Sequence, residues 1–344
     1  MSKSTDKRDI IVIGGSAGAL EPLKVIVSQL PADLPAAVMV VIHMSQTAGS
    51  LLPQILARVS NLPVIAAEDG MPMTLGRVHV ARPGHHLLLE RGIVRVTSGP
   101  KENGHRPSVD TLFRTAAVTY GPRVIGVVLS GALDDGAYGT SLIREMKGEV
   151  VVQQPDDALV PNMPYSAIAA SAPDYIVDAS EIASLLASLV KHGSTESPAH
   201  GDFHNLHHSA LGDVFRRPDV SLVGTKALKE PILNGPPSAF SCPECGGALW
   251  EVEDNNVVRY RCHVGHGYTF DTLTFHHDRR LEAALWHALR ALEEQAAMRR
   301  KMAARATAGH MSEISMRFSD QATTAETHAE VLREVLLSQS SPGE

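Results

Sequence analysis

Residues 9–18, Asp-Ile-Ile-Val-Ile-Gly-Gly-Ser-Ala-Gly, constrain the fold more than any other stretch. Ile10 to Ile13 is continuously apolar, as a strand buried on both faces is, and Ala19 to Leu30 then turns to helical spacing. Gly14, Gly15 and Gly18 permit a sharp turn between the two, with Ser16 at the bend. The frame reads as G-x-S-x-G, a spacing that projects the serine hydroxyl from the top of a sheet and aims the following N–H groups at a forming oxyanion. Glycine-rich strand-to-helix turns also cradle phosphates, so nucleotide binding is a competing reading. Against it, the spacing is not G-x-G-x-x-G, and a histidine stands about twenty-odd residues on, where a ribose-binding acid is required.

The alternation continues to about residue 191, with Ala36 to His43, Arg77 to Arg82, Arg123 to Ser130, Glu149 to Gln154 and Tyr175 to Asp178 reading as strands. Helices are expected over Ser50 to Val59, Ser108 to Tyr120 with Ser108 as cap, Ala137 to Lys147, Tyr165 to Ser171 and Glu181 to Lys191. His86 to Glu90 turns at Arg91-Gly92 into Ile93 to Thr97, a hairpin beside the main sheet. The predicted class is α/β, a doubly wound, mainly parallel sheet over 9–191. Residues 192–238 lack periodicity and read as a linker. A cysteine-bearing module follows over 239–270, then a helical hairpin over 271–339. In that hairpin Leu281, Leu285, Leu289, Leu292 and Ala296 face Val331, Leu332, Val335 and Leu336.

The formal net charge of −7 gives no reason to expect a nucleic-acid partner. No apolar run approaches the ~20 residues of a membrane span, so no membrane insertion and a cytoplasmic location are expected. The three cysteines, Cys242, Cys245 and Cys262, fall in one short stretch, which fits a reducing compartment and a metal site.

A serine nucleophile needs a base and a group that fixes the base's tautomer. His43 ends the second strand, and Asp134 and Asp135 follow the strand Arg123 to Ser130, so all can meet Ser16 above the carboxyl edge of the sheet. Together with Ile42-His43-Met44, Glu68-Asp69-Gly70, Ala81 to Leu87, His105 to Phe113, Asp134 to Gly139 and Asn162-Met163-Pro164, these residues resemble the methylesterase domain of the CheB-type chemotaxis protein-glutamate methylesterases. The resemblance implies Ser16 as nucleophile, His43 as base and Asp135 as orienting carboxylate. The order serine, histidine, aspartate differs from the α/β-hydrolase order. The main-chain N–H groups of Ala17 and Ala132 would hold the oxyanion. No cofactor is needed for catalysis, and the implied substrate is the glutamyl methyl ester of methyl-accepting chemoreceptor helices, with glutamine deamidation as in similar enzymes. The chain departs from the usual pattern at Ala17, Ser45, Ala132 and Asn162. His86 and Arg106 match recurring positions, with a structural role the simpler reading.

Cys242-Pro-Glu-Cys245 and Cys262-His263-Val-Gly-His266 supply C-x2-C and C-x3-H, the donor set of a structural zinc site, with Cys242, Cys245, Cys262 and His266 as ligands. His266 is preferred to His263 because the three-residue gap lets its ring return. Only eight residues precede Asp9, whereas the resemblance would place a receiver domain there. Constitutive competence, or control by its own C-terminal unit or by a separate regulator, is therefore expected. A non-catalytic signalling adaptor on the same fold is the alternative, and oligomeric state is left open.

Overall fold

The computed structural model describes residues 7–43, 51–192, 235–254 and 257–339. Most of the expected linker, with Ser45, lies outside them. Seven strands form one parallel sheet: β1 Ile10–Gly15, β2 Ala37–Ile42, β3 Val64–Ala66, β4 Arg77–Val80, β7 Val124–Val128, β8 Glu149–Gln153 and β9 Tyr175–Val177. Their order is β3-β4-β2-β1-β7-β8-β9, so the winding reverses between β1 and β7. β5 His86–Glu90 and β6 Ile93–Thr97 make the separate antiparallel hairpin. The three-residue β3 escaped the sequence reading because so short a run carries no period.

Side chains alternate across the central strands and divide the core into two layers. Ile11, Ile13, Val38, Val40, Ile125 and Val127 pack with helices α1 Leu20–Gln29, α2 Leu52–Ala57 and α6 Ala179–His192. Ile10, Val12, Met39, Val41, Val124 and Val128 pack with the hairpin and helices α3 Val109–Tyr120, α4 Ala137–Glu145 and α5 Asn162–Ser171. Both faces of β1 and β2 are thus covered, which is why these strands read as unbroken apolar runs.

The cysteine-bearing segment is a four-stranded antiparallel ribbon, β10 Pro237–Ser241, β11 Ala248–Asp254, β12 Val257–Cys262 and β13 Gly267–Tyr268. It falls in one compact unit with the large sheet, ending at Leu273, while Thr274 onward forms a second unit. That second unit holds most of α7 Phe270–Ala308 and all of α8 Ser312–Gln339, joined antiparallel by Arg300–Glu326 and Arg333–Glu293 ion pairs. Leu289, Ala296, Ala303 and Ala306 are buried on one helix and Ala322, Ala325, Ala329 and Leu336 on the other. These recur at the three-and-four spacing of a coiled-coil seam. Leu281, Val331 and Val335 are exposed, a correction to the expected stripe. Leu285, Leu289, Leu292, Leu332 and Leu336 pack together as expected, alanines fill the rest of the seam, and the valines fall just outside it.

Candidate active site

The carboxyl ends of β2, β1 and β7 bring the three candidate residues together. Gly15 pairs with Ile42 in the parallel ladder, and the His43 N–H donates to the Gly15 carbonyl at 3.1 Å, so Ser16 and His43 leave adjacent strands side by side. On the other flank the Ser16 N–H donates to the Ser130 carbonyl at 2.9 Å, which ties the bend to the loop after β7. That loop carries Asp135. His43 Nε2 lies 2.7 Å from Asp135 Oδ2. Nδ1 of His43 is buried and meets no hydrogen-bond partner among the described residues. With Asp135 ionised, Nε2 carries the proton and Nδ1 keeps the lone pair, so Nδ1 is the basic nitrogen left for the serine.

Asp135 is 1% exposed and its two oxygens accept five hydrogen bonds. Beside His43, the donors are Val109 N–H at 2.7 Å, Asp110 N–H at 3.1 Å, Ser108 Oγ at 2.9 Å and Asn103 Nδ2 at 2.9 Å. The main-chain pair belongs to the first turn of α3, so the carboxylate also takes up the free N–H groups and positive dipole end of that helix. Ser108 was expected to cap α3 with its own hydroxyl; instead that hydroxyl donates to Asp135, and Asp135 does the capping. Burial alone would raise the Asp135 pKa, but the bonded His43, the His105 ring and these donors outweigh it and hold the carboxyl below the usual range.

Two residues around this carboxylate went unassigned in the sequence. His105 stacks on the His43 ring, centroids 3.6 Å apart and planes 13° from parallel. Asn103 sits in a two-residue turn with Gly104, both at positive φ, closed by reciprocal bonds between Glu102 and His105. Its Nδ2 donates to Asp135 and also to Asp110 Oδ2 at 2.8 Å. Asp110 accepts from the Gly136 and Gly139 N–H groups, and burial with the Asp135 charge pushes its pKa up to about 6. Asn-Gly announces a turn in any sequence, but nothing local says what the asparagine will meet.

Ala17 and Ala132 are exposed on either side of Ser16, and neither N–H meets a protein acceptor among the described residues. Gly131 packs so closely that a Cβ there would lie 2.1 Å from Met163 Sδ and 2.9 Å from Ser16 Cβ. Ser130 Oγ donates to the Ala17 carbonyl at 2.7 Å, fixing the turn that aims these groups. Asp134 faces away toward Thr269; burial, with Asp110, Asp135 and Asp271 nearby, pushes it up to about 7. His86 and Arg106 are bracing groups: His86 Nε2 donates to the Pro100 carbonyl, and Arg106 donates to those of Ser98 and Gly99.

A second cluster lies in the ribbon, where donor atoms of Cys242, Cys245, Cys262 and His266 all fall within 4.8 Å of one another. Cys245 and Cys262 sulfurs are 3.7 Å apart, too far for a disulfide. His266 Nδ1 lies 3.6 and 3.5 Å from the Cys242 and Cys262 sulfurs. Tetrahedral zinc, with bonds of about 2.3 Å to sulfur and about 2.0–2.1 Å to nitrogen, gives edges of about 3.6–3.8 Å, and these three separations match such edges. Burial and the Cys242 sulfur push the Cys262 thiol up to about 12, a cost that a cation among the sulfurs removes. Burial lowers the His266 pKa, which favours the neutral imidazole that ligation requires.

A doubly wound parallel sheet with a serine, a histidine and a buried aspartate converging at its carboxyl edge is the arrangement of a serine-type ester hydrolase. Within that class the chain belongs to the CheB methylesterase family, whose model matches residues 11–186. The Thermotoga maritima CheB methylesterase catalytic domain superposes with a TM-score of 0.51 at 33% identity, over 53% of this chain and 98% of that one. A Leptospira interrogans protein, provisionally named a protein-glutamate methylesterase/protein-glutamine glutaminase, is 37% identical over 53% of this chain and 94% of its own. A Methanosarcina mazei protein-glutamate methylesterase/protein-glutamine glutaminase is 33% identical over 56% of this chain and 54% of its own. The chain thus spans about half the length of that longer relative. Residues beyond the family match include the whole ribbon and both long helices.

Proposed function

We propose that this chain is a protein-glutamate methylesterase acting on methylated glutamates of chemoreceptor cytoplasmic helices, with deamidation of receptor glutamines at the same site. The observation that carries the reading is the His43 ring, whose Nε2 is bonded to a buried carboxylate and whose Nδ1 meets no partner among the described residues, on a strand end adjacent to the one that carries Ser16.

Ser16 Oγ attacks the ester carbonyl carbon while its proton passes to His43 Nδ1. Charge on the carbonyl oxygen is received by the Ala17 and Ala132 N–H groups, each worth about 3 kcal/mol in such a role. Collapse of the tetrahedral species breaks the C–O bond, and His43 Nδ1–H protonates the leaving methoxide to methanol. Water then attacks the acyl-serine with the same base, freeing the glutamate carboxylate and restoring Ser16. Asp135 stays ionised throughout and holds the Nε2–H tautomer. With glutamine the same sequence releases ammonia.

Methanol release from a methylated chemoreceptor fragment tests this directly. Native protein should release methanol and Ser16→Ala should not; release that survives the substitution, or a well-folded native protein that releases none, sinks the reading. The latter outcome would favour the adaptor alternative.

The ribbon cluster is proposed to hold structural zinc through Cys242, Cys245, Cys262 and His266, with all four positions filled by protein and no part in the chemistry. About one equivalent of zinc in the purified protein, lost in Cys245→Ser, is the expected result of metal analysis. A cytoplasmic location follows from the proposed substrate, and no helix among the described residues is long and apolar enough to cross a membrane.

A further inference from the structure

The edge of the ribbon reaches the carboxylate of the active site. β13 bonds along residues 101–103: Asn103 N–H donates to the Gly267 carbonyl at 2.8 Å, and Gly267 N–H donates to the Lys101 carbonyl at 3.2 Å. The Thr269 N–H, at 3.3 Å, donates to Asn103 Oδ1. That bond settles which way the amide points, because an oxygen engaged by an N–H leaves Nδ2 facing the other side. On that side stand two buried carboxylates, Asp110 and Asp135, and Nδ2 spends one hydrogen on each. Arg259 of β12, 3% exposed, lies 3.2 Å from Glu102 and 3.8 Å from Asp110, and so sets a positive charge against the same group. Gly267 directly follows His266, whose carbonyl accepts from the Cys262 N–H at 3.0 Å within the metal knuckle.

We propose that Asn103 is a positioning residue for Asp135, and that the metal-loaded ribbon holds Asn103 in place, so that occupancy of the Cys/His cluster sets the competence of the esterase site. The proposal rests on the reading of Ser16, His43 and Asp135 given above. The path is short: ligand His266, then Gly267, one main-chain bond to Asn103, and one side-chain bond to Asp135. A ribbon without its ion loses the four ligand bonds that would tie its two knuckles to one another and keeps only its main-chain and weaker side-chain contacts, so the knuckles open more readily. Asn103 would then lose both its main-chain and its amide anchors. Asp135 would keep its α3 donors but lose the one that spaces it from Asp110, and the His43 ring with the stacked His105 would loosen with it.

The test uses the full chain loaded with zinc and the same chain after chelation, with metal content measured on both. The first readout is the downfield proton resonance of His43 Nε2–H against Asp135, which reports the pair whether or not the protein is an esterase. The second is kcat and KM for methanol release. Zinc removal should abolish or broaden the resonance and lower kcat about tenfold or more, the usual size of one lost bond to a charged group, with KM within about twofold. Restoring zinc should restore both. Asn103→Ala in the zinc-loaded protein should reproduce the loss with metal content unchanged. An unaltered resonance in zinc-free protein overturns the proposal, as does a native kcat in Asn103→Ala. Chelation changes no residue, so it decides the matter even if the variant fails to fold. A resonance that follows zinc in a protein releasing no methanol leaves the coupling standing and removes the esterase reading instead.

Discussion

Asp134 and Asp135 are neighbours in sequence with opposite electrostatics, and the difference is one of partners. Asp135 meets five donors, whereas Asp134 has one oxygen that meets none among the described residues. Burial pushes Asp134 up to about 7, above its value in an unfolded chain, so the folded state binds the extra proton between about pH 4 and 7. Stability from this group is therefore present at low pH and lost as pH rises through 7. Asp134→Asn, neutral at every pH, should raise the melting temperature at pH 8 and leave it near native at pH 4.5; an equal shift at both would contradict the assignment. Asp135→Asn should lower kcat on the order of 10³–10⁴-fold, the effect of a misassigned tautomer in other serine hydrolases. Comparing steady-state rates at matched folded fraction checks it.

At the scale of elements, the site depends on how tightly the β1 bend packs on the β7 loop. Gly131→Ala would drive a methyl group into Met163 and Ser16, displacing the proposed nucleophile as well as straining the core. A loss of about 1–3 kcal/mol in stability, with kcat falling further than the folded fraction accounts for, is the expected outcome in denaturant titration and methanol-release assays. The strand ends carrying Ser16, His43 and Asp135 were legible because β1, β2 and β7 are buried on both faces and read as unbroken apolar runs. The turn at Asn103 was legible only as a turn. Its reach to Asp135, like the diverted hydroxyl of Ser108, depends on residues 27 or more positions away that no local pattern encodes. The hairpin seam was legible in its leucines, Leu285, Leu289, Leu292, Leu332 and Leu336, and in Ala296; only Leu281 and the two valines were misplaced, where buried alanines complete the seam instead.

On the scale of the whole molecule, the ribbon and the sheet domain share a buried charge cluster. Glu102 accepts two 2.9 Å bonds from Arg114 and lies near Arg259 and Arg261 of β12. Burial would raise the Glu102 pKa, and the arginines, Arg114 first, outweigh it and hold it well below the usual range. Replacing Glu102 with Gln would leave those cations buried and short of a counter-charge, a change worth about 3–5 kcal/mol. A single unfolding transition that moves down for sheet and ribbon together should follow, seen by far-ultraviolet dichroism and zinc release. Separate transitions would show that the two modules fold independently.

The double duty of Asp135 bears on how a silent copy of such a protein would look. Its carboxylate closes the first turn of α3 as well as holding His43, so a descendant that stopped hydrolysing esters would still suffer on losing it. Ser16 carries no such second employment: its hydroxyl makes no hydrogen bond among the described residues. In judging which members of a lineage have gone dead, the aspartate is a witness to folding, and the serine, as the proposed nucleophile, alone testifies to chemistry.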